Sequence, residues 1–378
     1  MKEMFQLFRQ MCNDAIRIAV ATNPLSRYDL ISSAYENLKG YGLHSHYIQN
    51  VCGVAFAAFQ RWKKDAPQEI LDILTLPHFK RQGVLSHLAR LRIEVPLVRM
   101  PFLRLDNQTY KLDYLLLRIP TRPRVFEYIV LDGSMYHRAF LADLGLKRGS
   151  IVITESSVVI AFSRKVETIE PAGQMGLDVN ERNVTWSDTA GKTARVDTSQ
   201  VVEIKERYKA IRAKIAGLVS GDRRTMRRLL SKYGRREKNR TSQLINRVSK
   251  EIVEHAKQNK LEIKMERLTG IRRLYRKGNH QGTSFRGRMN SWTFREIQRQ
   301  VEYKATWEGI PVAYVSPRGT SQICLCGSRV ATLAERKLYC PGCDRIWDRD
   351  ELASKNVMAA PLVRAARPSK RGDEGGTR

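Results

Sequence analysis

The chain has 378 residues, 42% of them apolar, which is enough for two or three hydrophobic cores and argues against disorder throughout. Its formal charge of +29, with a pI near 10.2, lies far outside what an enzyme of small neutral substrates needs and asks for a polyanion, most simply nucleic acid. Asp14 and Arg17 interrupt the first apolar run, so neither a signal peptide nor a membrane span is expected and the protein should stay in the cytoplasm.

From Met1 to about Arg92 the spacing predicts helices: Phe5, Phe8, Cys12 and Ile16 recur three or four residues apart, and Val51, Val54, Phe56, Phe59 and Trp62 do so more loosely. Cys12 and Cys52 lie among apolar neighbours and read as buried packing residues. From Ile93 the character changes to short β-rich runs, 110–119, 150–154 and 157–162, separated by Pro and Gly turns, which suggests a small barrel or sandwich. Asn107, Gln108 and Thr109, polar and uncharged at a strand edge, could touch base edges or phosphates, although a plain polar turn explains them as well.

Pro171 to Gly173 makes a boundary, and three strands with tight turns follow it, around Asp178, Trp186 and Val196. With a period of two, Leu177 and Val179 face one side of the first strand and Asp178 the other. Gln200 to about Lys260 reads as a hairpin of two helices broken near Tyr233 and Gly234. Within it Arg223, Arg224, Arg227, Arg228, Lys232, Arg235, Arg236, Lys238, Arg240 and Arg247 stand against the single acid Glu237, too one-sided for intrahelical pairing and suited to a phosphate backbone. A strand over 261–268 carries Ile263 and Met265 inward with Glu262, Lys264 and Glu266 opposite; a Gly-rich basic stretch over 272–288 reads as a mobile loop; a helix over 292–307 and a strand over 311–315 follow.

Four of the six cysteines come next, as the close pairs Cys324/Cys326 and Cys340/Cys343, a spacing that suits four thiolates around one structural zinc. Asp348 and Asp350 open the last helix, which carries Ala353, Val357 and Met358 inward, and the residues from 365 to 378 read as a disordered tail. Three strands, a helical excursion, a strand, a helix, a strand and a last helix give an RNase H-like layout, in which Asp178, Glu266 and Asp350 would meet at one end of a sheet. Two divalent ions about 3.5–4 Å apart explain why three carboxylates are gathered: one generates hydroxide and the other stabilises the leaving oxygen.

The segments Gly176 to Asn180, Glu266 to Arg272, Ser291 to Phe294, Tyr303 to Ala305, Arg318 to Gln322, the cysteine pairs and Asp348 to Asp350 resemble the TnpB family of insertion-sequence nucleases, relatives of type V CRISPR effectors. The likeness is spread over most of the chain and is most specific in the last two hundred residues or so. It implies an α+β multidomain protein: a helical recognition domain (1–92), a β-barrel wedge domain (93–172), a RuvC-like nuclease domain in two parts (173–319 and 347–364), an inserted zinc ribbon (320–346) and the tail (365–378). It further implies an RNA-guided DNA endonuclease, with Asp178, Glu266 and Asp350 as catalytic magnesium ligands, one structural zinc, a transposon-encoded guide RNA and double-stranded target DNA as partners, and a monomer or weak dimer associated with the nucleoid. Tyr47, Gln49 and Asn50 on the helical domain become candidates for reading the DNA that flanks the target, with helix packing as the equal alternative.

The chain departs from the family pattern in three places. One residue rather than two separates Cys324 from Cys326; Asp344 stands where a Gly is usual, tolerable because Asp can enter the left-handed conformation; and Leu352 replaces an Asn commonly found two residues after the last acid, which removes a polar neighbour from the site. Two other readings stay open: an RNA-guided binder that no longer cuts, and a guide-free nuclease or transposase.

Overall fold

The computed structural model of the protein describes residues 1–76, 82–219 and 221–361. The expected tail, 365–378, lies outside them. The fold is α+β, and the chain separates into two compact units, Met1–Lys165 and Val166–Arg378.

The first unit begins with α1 (Lys2–Thr22), α2 (Arg27–Lys39), α3 (His46–Asp65), α4 (Gln68–Thr75) and α5 (Gln82–Arg90). Helix α1 buries Phe5, Phe8, Cys12 and Ile16 along one face and stops at Asn23, whose φ of 45° turns the chain away. A capping box between Ser26 and Asp29 starts α2. The β-rich part contains β1 (Leu103–Leu105), β2 (Lys111–Asp113), β3 (Leu116–Arg122), β4 (Val125–Val130), a short α6 (Met135–Ala142), β5 (Lys147–Ile153) and β6 (Val158–Ser163). These strands pair as two three-stranded antiparallel sheets, β1-β5-β6 and β2-β3-β4. The run 110–119 is therefore a hairpin rather than one strand: Tyr114, at φ 48°, turns the chain over.

Helices and strands of this unit share one hydrophobic core that runs from Met4 to Ile153. Two of the DNA-reading candidates are corrected by it. Tyr47 is fully buried and its hydroxyl donates to the Pro120 carbonyl at 2.8 Å. Asn50 is buried as well; its Nδ2 donates to Thr109 Oγ1 at 3.1 Å and its Oδ1 accepts from the Asp106 N–H at 2.9 Å. Both are spent on fastening α3 to the strands, so packing is the reading that holds for them, while Gln49 faces solvent. Asn107 and Gln108 are exposed in a turn organised by Asp106, whose Oδ1 accepts from the N–H groups of Gln108 and Thr109.

The second unit is built on β7 (Gly173–Val179), β8 (Asn183–Asp188), β9 (Thr193–Asp197), β10 (Leu261–Glu266) and β11 (Val312–Val315), in the order β11-β10-β7-β8-β9. Strand β10 runs parallel to β7 and β11, whereas β7, β8 and β9 form an antiparallel meander. Helices α7 (Ser199–Leu218) and α8 (Arg223–Gln258) lie between β9 and β10 in sequence. Helix α7 ends at Leu218 and α8 begins at Arg223, not near Tyr233, because Asp222 caps α8 by accepting from the N–H groups of Arg224 and Thr225; Gly234 lies inside a 36-residue helix. The 272–288 stretch is not a bare loop either. It holds a 3-10 turn over Ile271–Tyr275 and the first part of α9 (Thr283–Ser291), pinned where Arg288 meets Glu181 at 2.7 Å.

Helix α10 (Phe294–Trp307) leads into β11. The cysteine region forms a three-stranded antiparallel sheet, β12 (Ala331–Thr332), β13 (Lys337–Cys340) and β14 (Arg345–Asp348), and α11 (Arg349–Ala359) follows. Met175, Leu177, Ile263 and Met265 share a core with Ile245, Ile252, Ile297 and Val301 of α8 and α10. The opposite face of β7 and β10 is covered too, because α11 lies on it: Lys264 is buried there, donating to the carbonyls of Met358 and Ala360 at 2.9 and 3.2 Å. Among the described residues no helix is long and apolar enough to cross a membrane.

Candidate functional site

Each acid reaches the site through a local feature. On β7, alternation sends Gly176 and Asp178 to the face opposite Leu177. A Cβ at Gly176 would run into the backbone of Ser354 and Met358, so this glycine lets α11 lie flush on the strand. Leu177 pairs with Met265, and one residue further along the two parallel strands come Asp178 and Glu266. Asp350 enters from α11, whose N-cap Asp348 accepts from the N–H groups of Asp350 and Glu351 at 2.9 and 3.2 Å.

Asp178 and Asp350 are almost fully buried, and Glu266 is partly so. Burial, followed by the neighbouring charge of Glu266, pushes the Asp178 carboxyl up to about 7, with Asp350 adding to the rise. Burial raises Glu266 as well, against a hydrogen bond from Thr320. Asp178 feels the charge of both other acids, and although the three carboxylates do not come within 4.8 Å of one another as the cysteines do, they offer only oxygen donors, the kind that suits a hard divalent cation such as magnesium.

Protein groups meanwhile hold every one of these carboxylates. Asn180 Nδ2 donates to Asp178 Oδ2 at 2.7 Å, and Thr320 Oγ1 donates to Glu266 Oε1 at 2.6 Å. Arg336 Nη2 donates to Asp350 Oδ1, while Arg195 Nη2 lies 3.4 Å from Asp350 Oδ2 and 2.7 Å from Asp348 Oδ1. Asn183 Nδ2 also reaches Asp350 Oδ2, at 3.3 Å. None of these five partners was singled out from the sequence. Thr320 lay within a motif of the family resemblance and Asn180 two residues from Asp178, whereas nothing local marked Arg195 or Arg336.

Leu352 packs under the cysteine sheet. It is fully buried in an apolar cluster with Cys324, Leu338, Cys340 and Trp347, so the expected loss of a polar neighbour is instead a packing contribution under the cysteine sheet.

The four cysteine sulfurs all lie within 4.8 Å of one another, and among the described residues they are the only set of three or more His, Cys, Asp or Glu ligand atoms gathered in this way. Cys324 and Cys343 sulfurs are 3.6 Å apart and those of Cys326 and Cys340 3.4 Å, too long for disulfides and close to the roughly 3.8 Å edge of a tetrahedron with ~2.3 Å Zn–S bonds. The one-residue knuckle therefore still converges, and a four-thiolate donor set fits zinc. Hydrogen bonds from the N–H and hydroxyl of Ser328 hold the Cys326 thiol below the usual range, which favours the thiolate a metal needs, while bonding among the sulfurs raises Cys343. Asp344 sits at φ 49°, in the left-handed region its neighbours demand.

On α8, Arg223, Arg224, Arg227, Arg228, Arg235, Arg236, Lys238 and Arg240 are all exposed. The first four flank a hollow with Ser231. Arg236 lies over the ring of Tyr233, and Arg240 over that of Tyr208, which stiffens part of the basic face.

Comparison with known proteins places the chain. The TnpB-like protein MJ0751 of Methanocaldococcus jannaschii is 34% identical over 251 residues, covering 64% of this chain and 89% of that protein. The chain belongs to the TnpB-like family. A family model described as the TNB domain of Cas12f1-like proteins matches residues 294–357, from α10 through the cysteine sheet to α11. This TnpB-like chain is also 31% identical over 169 residues, 42% of its length, to the CRISPR-associated endodeoxyribonuclease Cas12f2 of a Micrarchaeota archaeon, of which it covers 30%. Its fold is similar to that of Cas12f1 in a solved complex with sgRNA and target DNA, with a TM-score of 0.59 at 13% identity over 96% of this chain and 83% of that one.

Proposed function

We propose that this TnpB-like chain is an RNA-guided DNA endonuclease, cutting target DNA beside a short flanking motif by metal-dependent phosphodiester hydrolysis. One observation carries the reading: Asp178 on β7 is driven up to about 7 by burial, then by the charge of Glu266 on β10, with Asp350 of α11 adding to the rise. Asp178, Glu266 and Asp350 would hold magnesium, which would supply an activated water and charge stabilisation for the departing oxygen. The protein's own work is positioning. The sheet order of the second unit supports an RNase H-like RuvC domain with a zinc-ribbon insert, and the helical (1–92) and β-rich (93–172) segments, which lie mostly in the first unit, take the recognition and wedge roles. The arginine face of α8 binds phosphates, and sequence is read by a transposon-encoded guide through base pairing.

The test begins with sequencing the RNA that co-purifies when the protein is expressed from its native locus. A duplex matched to that RNA is then incubated with the complex in Mg²⁺ or in EDTA, alongside Asp178→Ala. Cleavage that needs Mg²⁺ and is lost in the variant supports the proposal; cleavage without bound RNA points to a guide-free nuclease.

A second reading, a guide-directed binder that does not cut, is favoured by the two arginines that engage both oxygens of Asp350. Specific binding with no difference between wild type and Asp178→Ala would establish it.

A further inference from the structure

The turn between β7 and β8 carries two asparagines that together span the distance from the first acid to the third. Asn180 Nδ2 donates to Asp178 Oδ2 at 2.7 Å and, at 3.3 Å, to Asn183 Oδ1; Asn183 Nδ2 donates in turn to Asp350 Oδ2 at 3.3 Å. We propose that Asn180 and Asn183 are positioning residues, a pair of linked amides that sets the spacing between Asp178 and Asp350 and so determines how tightly the site takes a divalent ion. The inference rests on the metal-site reading above and adds to it residues that do not themselves ligate.

The amides are held from several sides. Asn180 Oδ1 faces Arg336 Nη2 at 3.4 Å; a guanidinium only donates and a carboxylate only accepts, so a single orientation of the amide satisfies both. The Asn180 N–H donates to the Asn183 carbonyl at 2.9 Å, closing the turn, and the Trp292 indole donates to the Asn180 carbonyl at 3.0 Å. Asn183 Oδ1 also accepts from Thr185 Oγ1 at 3.1 Å. Glu181, between the two, is anchored by Arg288. Asp178 belongs to a strand and Asp350 to a helix N-terminus far away in sequence; this turn supplies a hydrogen-bonded path between their side chains that backbone pairing alone does not.

Groups that orient metal ligands without touching the metal commonly change affinity about 10- to 100-fold when removed. The experiment measures Mn²⁺ binding to the full chain by electron paramagnetic resonance, and cleavage as a function of Mg²⁺ for the guide-bound complex. Asn180→Ala and Asn183→Ala are expected to weaken Mn²⁺ binding by about that factor and to raise the half-saturating Mg²⁺, while most of the rate returns at saturation. Thr185→Val removes one of the two hydrogen bonds to Asn183 Oδ1 while leaving the amide's bond to Asp350, and is expected to give a smaller loss, which keeps the question answerable should an alanine variant fail to fold. Asp178→Ala separates the two levels. If it abolishes Mn²⁺ binding while both asparagine variants bind within twofold of wild type, the positioning role is overturned and the metal site stands; if wild type holds no Mn²⁺ that Asp178→Ala removes, both fall.

Discussion

Arg336 donates to Asp350 Oδ1 from a turn of the cysteine sheet in which both Glu335 and Arg336 have left-handed backbones, φ 55° and 61°. On the proposed metal-site reading, the guanidinium rests on an oxygen that a metal ion would use. Arg336→Ala is expected to lower the half-saturating Mg²⁺ several-fold, read from cleavage rate against Mg²⁺, whatever the change in maximal rate. An unchanged or higher requirement would show that Arg336 does not compete for the site.

Restoring the family's asparagine should not restore anything. Because Leu352 is fully buried against Cys340 and Trp347, Leu352→Asn puts an amide into an apolar cluster and is expected to cost about 2–4 kcal/mol with no gain in Mg²⁺ affinity. A denaturant melt and an Mg²⁺ titration check both halves.

The acid site makes the metal-free protein pH-sensitive in a defined direction. Asp178 titrates near 7 when folded and near 3.8 when unfolded, so between those values the folded state binds more protons and stability falls as pH rises. In EDTA, Asp178→Asn is thus expected to be more stable than wild type at pH 8 by up to a few kcal/mol, at ~1.4 kcal/mol per pKa unit, with the difference vanishing below about pH 4. Mg²⁺ affinity, which needs the ionised carboxylate, should rise through pH 7. Melting curves across pH test the first statement and calorimetric titration the second.

Zinc removal should be visible at Trp347, which is buried beside Cys324 and Cys340 with the Arg345 guanidinium 3.9 Å from its ring centroid. Purified protein is expected to contain one zinc per chain by atomic emission, and chelation or Cys340→Ser to shift Trp347 fluorescence to the red as the small cluster opens. Full-length protein without zinc and with unaltered fluorescence would rule out a structural metal here.

The arginines at the start of α8 should act on affinity without acting on sequence choice. Replacing Arg223, Arg224, Arg227 and Arg228 by Ala is expected to weaken nucleic-acid binding and to flatten its salt dependence by roughly 1 in log–log slope for each phosphate no longer neutralised. Filter binding over a range of salt concentrations measures it.

Much of the second unit was legible because its signals are local. Alternation around Asp178, the cysteine spacing and the apolar face of α10 each depend on a few adjacent residues, and the structure has strands, a cysteine cluster and a helix at those places. The helix break was misplaced since a glycine drew the eye from a better signal, the capping carboxylate of Asp222. The sequence places Lys264 opposite Ile263 and Met265, but nothing in β10 announces that α11 will cover that side. For Tyr47 the sequence leaves DNA reading and helix packing equally open, and the Pro120 carbonyl that takes its hydroxyl decides for packing. The partners of the acids were the least legible of all: Arg195, Thr320 and Arg336 come from three separate segments, and only the tertiary fold brings them together.

The cysteine insert is fastened where it leaves the sheet and where it returns. At its entrance Thr320 holds Glu266, and Asn356 of α11 donates to the carbonyls of Thr320 and Ile323 at 2.8 and 2.7 Å; at its exit Asp348 caps α11. What lies between can change in length and outline while the two moorings keep their grip, which makes this hairpin an exchangeable cartridge. Arg336, which engages Asp350 from within the insert, is the part that cannot be traded; the outer surface away from it can differ between homologues while the contacts to the carboxylates are kept.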